Sequence, residues 1–104
     1  MALIRLMEMQ ASCTAIFTSE DILAAGILKG LLAKGKKVPD DVAVFGYNDS
    51  VLARCTTPEL STVDNKVGVL AREAARMLCK VLDGEDTPHH KIIEPELVFR
   101  ESCP

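Results

Sequence analysis

Three short polar segments hold the residues of this chain best suited to chemistry, and each follows a run of apolar residues. They are Thr18-Ser19-Glu20-Asp21, Tyr47-Asn48-Asp49-Ser50 and Asp64-Asn65. A carboxylate accepts several hydrogen bonds and an amide both gives and takes. Such a set suits a polyhydroxylated or heterocyclic ligand, and Tyr47 offers a ring to stack on a flat ligand or a sugar face. On this reading Ser19, Glu20, Asp21, Tyr47, Asn48 and Asn65 line a small-molecule site. Each segment also has a plainer explanation. Ser19 and Asp21 suit the start of a helix, Asn48 and Asp49 suit a turn, and Asn65 suits the cap of a following helix.

Signals for catalysis are lacking. The sequence has no G-x-S-x-G elbow, phosphate loop or G-x-G-x-x-G. His89 and His90 are adjacent, so in an extended segment their side chains diverge, unlike the wider spacing of metal ligands. Asp49 after a strand is placed like the phospho-acceptor of a receiver fold, but the paired acids and later lysine of such a site are not evident. The four cysteines, Cys13, Cys55, Cys79 and Cys103, form no C-x-x-C and no metal spacing. No enzyme activity, cofactor or metal is therefore expected.

Composition narrows the partners. The chain has 104 residues, 48% hydrophobic and 26% charged, with a net charge of −3. That balance fits one globular unit or part of a larger one. Phosphate backbones are bound through clustered cations, and only 4% of residues are aromatic, too few for a base-stacking platform. Lys34, Lys36 and Lys37 form the one basic cluster, at an expected helix end where cations oppose the dipole. Scattered thiols indicate a reducing, cytoplasmic setting. The opening MALIRLMEMQ carries Glu8 and lacks the apolar core of a secretory leader. No apolar run reaches the roughly 18 residues of a membrane span.

The elements that must position the three polar segments follow from periodicity and punctuation. Residues 2 to 9 read as the end of a helix, with Leu3, Leu6 and Met7 at helical spacing. Cys13 to Phe17 is a short, partly β-branched strand. Ser19 is placed as the N-cap of a helix running to about Lys34, closed by Gly35. Val42 to Gly46 is a second strand, apolar throughout, as in a sheet covered on both faces. Strand, helix and strand over residues 13–46 make a parallel crossover unit. A helical turn at 50–55, a strand from Leu60 to Val63 and an amphipathic helix over 66–83 come next. In that helix Val67, Leu70, Ala71, Ala74, Leu78, Val81 and Leu82 share one side, and Gly84 ends it. Lys91 to Ile93 and Glu96 to Arg100 read as one strand bent near Pro95. The fold class is α/β, a mainly parallel sheet flanked by helices. In such sheets ligands bind beyond the carboxyl ends of the strands, where the three polar segments fall.

The stretch Ile22 to Ala33 contains one charged residue, Lys29. A helix covering one face of a sheet needs a single apolar stripe; this one is apolar almost all round. Its outer face is therefore expected to lie in a homodimer interface, through Ile22, Ala25, Leu28, Lys29 and Leu32.

Four blocks in order resemble the C-terminal third of LacI-type (lactose-repressor family) transcriptional regulators. Thr14-Ala15-Ile16-Phe17 with Asp21, Ala24 and Gly26 is similar to the family's TAIF..ND..A.G block. Val38-Pro39-Asp40-Asp41-Val42-Ala43-Val44, then Gly46-Tyr47-Asn48-Asp49, resembles VP.D..V.GYDD. Pro58 to Val63 resembles PPLTTV, and Glu96 to Ser102 resembles ELV.RES. The resemblance implies a partial type I periplasmic-binding-protein-like fold with two lobes. Residues 1–63 would belong to the C-terminal lobe, 64–95 to the N-terminal lobe, and 96–104 would return to the first. It implies a sugar-like effector at the cleft, read by Glu20, Asn48 and Asn65 with Val67 nearby, and a homodimer. DNA would be bound only through a headpiece outside this sequence. Glu20 stands where the family often has Asn, and Asn48 where it often has Asp, so the effector is left open. One competing reading is a fragment of a periplasmic sugar-binding protein, against which the ELV.RES ending and the apolar helix weigh. Another is an enzyme on a flavodoxin-like sheet, against which the missing phosphate loop and nucleophile weigh.

Overall fold

The computed structural model describes Arg5 and residues 13–104. The helix expected over residues 2–9 lies outside the described residues apart from Arg5. The order is β1 (Ala15–Phe17), α1 (Asp21–Ala33), β2 (Ala43–Tyr47), α2 (Val51–Cys55), β3 (Ser61–Asp64), α3 (Val67–Leu82) and β4 (Glu96–Val98). The four strands form one sheet in sequence order. β1, β2 and β3 are parallel, with Ile16 opposite Val44 and Gly46 opposite Thr62. β4 runs antiparallel to β3, with Val63 opposite Leu97 and Asp64 opposite Glu96. This is the mainly parallel α/β sheet expected from the alternation of strand and helix.

Side-chain alternation along β2 decides what each face does. Val44 and Gly46 are buried on the face that α1 covers. Ala24, Leu28 and Leu31 of α1 meet Val42, Val44, Ala53 and Leu60 in the core. Phe45 and Tyr47 lie on the other face, where Phe17, Phe45 and Phe99 form a row with ring centroids 6.2 and 5.8 Å apart. Gly35 closes α1 and Gly84 closes α3, both at φ +74°, the left-handed geometry that glycine enters without strain.

Three expectations need correction. The first helix begins at Asp21, and the flanking Glu20 makes no side-chain cap bond, so Ser19 is not its N-cap. The turn is closed instead by Thr18, whose hydroxyl donates to the Glu20 carbonyl at 2.8 Å. Residue 66, not Asn65, is the flanking residue of α3, with Lys66 at φ +51°. Its N–H donates to the Asp64 carboxylate at 2.8 Å, an Asx-type turn that leads the chain into the helix. The third concerns the last strand, which covers only Glu96–Val98. Residues 91–93 have no partner strand among the described residues, and a strand exists only through a ladder.

The tail after β4 is tied into the sheet by buried polar bonds. Ser102 is fully buried. Its hydroxyl donates to the Val44 carbonyl at 2.6 Å and accepts from the Ser61 N–H at 2.8 Å. The Ser102 N–H bonds the Glu59 carbonyl at 2.9 Å, and the Ser102 carbonyl accepts from Val44 N–H at 3.0 Å. Glu101 accepts from the Glu59 N–H at 2.7 Å.

α3 is different. Its apolar stripe has the expected 3.6-residue spacing, yet no residue of the helix is buried. The radius of gyration is 18.0 Å and the extents are 58 × 26 × 17 Å; a compact domain of this length would have a radius near 13 Å.

Replacing Ser102 with Ala strips the Ser61 N–H and the Val44 carbonyl of a buried partner. Each orphaned group costs on the order of 1–3 kcal/mol. The expected loss is about 2–4 kcal/mol, read from the urea midpoint at constant slope. A change below about 0.5 kcal/mol would remove the tail from the stability of this sheet.

Candidate functional site: the carboxyl edge of the parallel strands

The three polar segments sit at one edge of the sheet, at and just beyond the carboxyl ends of β1, β2 and β3. Backbone bonds continue the pairing past each strand. Thr18 N–H reaches the Phe45 carbonyl and Asn48 N–H reaches the Val63 carbonyl, both at 2.9 Å. The segments are thus held side by side before any side chain contributes.

A buried polar cluster then fixes their shape. Asp21, the first residue of α1, is only 1% exposed. One carboxylate oxygen accepts from the Thr62 hydroxyl at 2.5 Å and the other from the Ser50 N–H at 2.6 Å. The first segment is so bonded to the second and to β3. A carboxylate at the first turn of a helix also meets the positive end of the dipole, which helps a buried charge with no cation bonded to it among the described residues. Gly46 completes the fit. A Cβ there would collide with Asp21 Oδ1 and lie 2.9 Å from Leu60 Cδ2, so the helix start can approach the strand only over a glycine.

The second segment turns through two left-handed residues, Asn48 at φ +105° and Asp49 at φ +45°. Asn and Asp tolerate this region better than most residues. The turn carries Asp49 back over β3, where its N–H lies 3.3 Å from Thr62 Oγ1 and its carboxylate pairs with Arg100 at 2.8 Å. Asn48 faces the third segment. The Asn65 amide donates to Asn48 Oδ1 at 2.8 Å.

These positions sort the six residues expected to line a site. Asn48 and Asn65 are brought into contact. Ser19 and Glu20 are exposed at the same edge and Tyr47 is half-buried there. Asp21 is the correction: both its oxygens are occupied inside the protein, so it shapes the edge and does not present itself to a ligand. Thr62, Ser50, Asp49 and Arg100 share that shaping role. The signal for them was the pair of hydroxyls, Ser61 and Thr62, inside a strand otherwise read by its apolar content.

Two exposed ion pairs lie beyond the cluster. Lys66 Nζ donates to Glu96 at 2.6 Å, joining the residues after β3 to the start of β4. That bond holds the lysine pKa above its ordinary value, with Asp64 and Glu94 adding to the effect. Lys91 donates to Glu73 at 2.6 Å, drawing the segment after α3 back onto the helix. The bond lowers the Glu73 pKa below the usual carboxylate value. No group of three or more metal-ligating side chains occurs among the described residues. No helix among them is long and apolar enough to cross a membrane.

An open parallel sheet with polar loops gathered at its carboxyl edge defines one wall of an α/β ligand cleft. Residues 2–103 match the family described as periplasmic binding protein-like domain, and the chain belongs to that family, in the form found in LacI-type transcriptional regulators. It is 39% identical over 88 residues to an HTH-type transcriptional regulator of Lachnoclostridium phytofermentans, covering 85% of this chain and 26% of the relative. Against the HTH-type transcriptional regulator CelR of Thermobifida fusca it is 35% identical over 102 residues, covering 97% and 30%. Among solved structures, a transcriptional regulator CelR–cellobiose complex superposes with a TM-score of 0.91 at 35% identity, over 97% of this chain and 31% of that one. A LacI-family regulator of Arthrobacter sp. FB24 in complex with lactose gives 0.87 at 31%, over 99% and 40%. The lac repressor dimer bound to operator shares the fold, with a TM-score of 0.91 at 22% identity. The chain spans about a quarter to a third of the curated relatives it matches.

Substitutions at Asp21 should separate charge from shape. In Asp21→Ala both Thr62 and Ser50 N–H lose their acceptor, with an expected cost of about 3 kcal/mol. In Asp21→Asn the amide oxygen can still accept from Ser50 while its NH2 turns to Thr62 Oγ1, and about 1 kcal/mol is expected. Urea unfolding of the two variants reads the order; equal costs would show that the carboxylate is not held as described.

Proposed function

We propose that this chain is the effector-binding and dimerisation part of a transcriptional regulator. Its role is to bind a sugar-like small molecule and not to catalyse a reaction. One observation carries the reading. Asn48 and Asn65, each just past the carboxyl end of a parallel strand, meet across the edge at 2.8 Å, in a fold whose relatives hold cellobiose and lactose. Bridged amides keep further donors and acceptors for hydroxyls. Glu20 and Tyr47 at the same edge extend the surface a sugar would meet, with Ser19 beside them.

The lobe assignment follows the shape. We assign residues 1–63 and 96–104 to one lobe and residues 64–95 to the other. An apolar stripe on α3 with no buried residue needs a cover that the sheet described above does not supply. The two crossings run together, Asp64 opposite Glu96, as a hinge between lobes requires. Binding across that hinge would favour one lobe geometry over another. Operator DNA would be bound through a headpiece outside this chain, in the cytoplasm, by a homodimer.

The dimer surface must be redrawn from the one expected. Leu28 is 2% exposed and packs into the core, so it is removed from the interface; its spacing places it on the stripe facing the sheet. Ile22 at 61% and Leu32 at 47% are exposed, as is Lys29, with Ala25 half-buried. Leu23, 52% exposed, joins them. These residues are what a second copy would cover.

Two expected outcomes test this reading in the full-length protein. Asn48→Ala and Asn65→Ala should each weaken cellobiose or lactose binding about tenfold or more in calorimetry, the equivalent of about 1.4 kcal/mol; unaltered affinity would move the effector elsewhere. Ile22→Glu or Leu32→Glu should turn a dimer into a monomer in analytical ultracentrifugation while the fold persists. Leu28→Glu should prevent folding instead, and a folded, dimeric Leu28→Glu protein would contradict the packing of α1.

A further inference from the structure

The effector reading leaves one charged pair unexplained. Arg100 lies two residues beyond β4, at the opposite end of β3 from Asn48. Its backbone N–H donates to Ser61 Oγ at 2.7 Å, and a guanidinium nitrogen donates to the Leu60 carbonyl at 3.0 Å. A second guanidinium nitrogen lies 2.8 Å from Asp49 Oδ1, with side-chain exposures of only 10% and 19%. The pair thus spans from the tail to the turn that carries Asn48.

That turn needs holding. Asn48 and Asp49 both have left-handed backbone, a conformation disfavoured for residues with a side chain. The backbone contact between Asp49 N–H and Thr62 Oγ1 is long, at 3.3 Å. Asn48 is tied to β3 by its N–H bond to the Val63 carbonyl at 2.9 Å; on the Asp49–Ser50 side of the turn the short contacts are the Arg100–Asp49 ion pair and the Ser50 bond to Asp21. We propose that Arg100 is a positioning residue, which through the Asp49 carboxylate holds the turn in the shape that aims Asn48 at Asn65. This rests on the effector reading above and adds to it a control from the tail. Arg100 lies two residues past the returning strand β4, so a shift of that strand relative to β3 would move the guanidinium and loosen the turn.

A turn that keeps its shape only part of the time binds in proportion to the competent fraction. If losing the pair leaves about a tenth of molecules competent, affinity falls about tenfold. The test uses the full-length protein titrated with cellobiose, lactose and sucrose by calorimetry. Arg100→Met and Asp49→Asn should each lose about tenfold or more. Arg100→Lys, which keeps the charge but not the planar fork, should recover part of the loss. Ser102→Ala, two residues on and expected to lower stability, should leave affinity unchanged while the protein stays folded. Full affinity in Arg100→Met, or equal losses in Arg100→Met and Ser102→Ala, would overturn the proposal. If the unsubstituted protein binds none of the three sugars, the sugar reading fails and hydrogen exchange decides. Faster exchange at the Asp49 and Ser50 amides in Arg100→Met than in Ser102→Ala supports the positioning role, and equal rates overturn it.

Discussion

A single carboxylate, buried at the first residue of a helix, sets the terms for everything at the carboxyl edge of this sheet. Among the described residues Asp21 has no cation bonded to it. It is kept by the Thr62 hydroxyl, the Ser50 N–H and the dipole of its own helix. Those partners come from three different segments, so satisfying the charge and assembling the edge are one event. The cost of burying a charge makes the arrangement specific. If α1 slid along the sheet, the carboxylate would lose both donors. Gly46 enforces the same register sterically, because a side chain there would occupy the place of the Asp21 carboxylate.

This constraint explains why one helix has two kinds of apolar residue. Ala24, Leu28 and Leu31 follow the stripe that Asp21 begins, and all are buried. Ile22, Leu23 and Leu32 stand off that stripe and remain exposed. Anchoring the first turn fixes the rotation of the helix, and so decides which leucines belong to the core. Composition alone gave no phase for a helix that is apolar on nearly every side. The dimer surface drawn from it consequently mixed Leu28, a core residue, with Ile22 and Leu32.

Much of the architecture was legible in the sequence because it rests on local signals. Continuous apolar strands, the glycines at 35 and 84, and strand–helix–strand alternation each point to the parallel sheet without knowledge of distant contacts. The end segments of the strands were legible for the same reason. What was hidden depends on pairs far apart in the chain. Arg100 meets Asp49, Ser102 meets Val44 and Ser61, and Thr62 meets Asp21. In a linear reading Thr62 is a polar interruption of a strand and Arg100 the end of another, with no partner indicated for either. Only the fold makes each a partner to a buried group. The helix starts were hidden likewise: Ser19 and Asn65 are good caps by type, but α1 and α3 begin without a side-chain cap, and Thr18 and Asp64 shape the turns before them.

The two ends of β3 are held very differently. At its start Leu60, Ser61 and Thr62 are fully buried and bonded on several sides, to Arg100, Ser102, Cys103 and Asp21. Past its end the side-chain links are fewer and more exposed to water, the Asn65–Asn48 bond and the Lys66–Glu96 pair, with Lys66 itself left-handed. Exposed pairs are worth little and are screened by salt, whereas buried networks are stiff. Stiffness therefore falls along a strand of four residues, from a rigid sheet to a compliant crossing that leads into α3. The two-lobed arrangement proposed above would use that gradient: a wall that keeps its shape, next to a joint that does not resist rotation. Asn65 stands at the boundary, bonded to the rigid wall through Asn48 and adjoining the joint at Lys66. On that proposal, a ligand gripping the Asn65 amide would bear on both lobes at once.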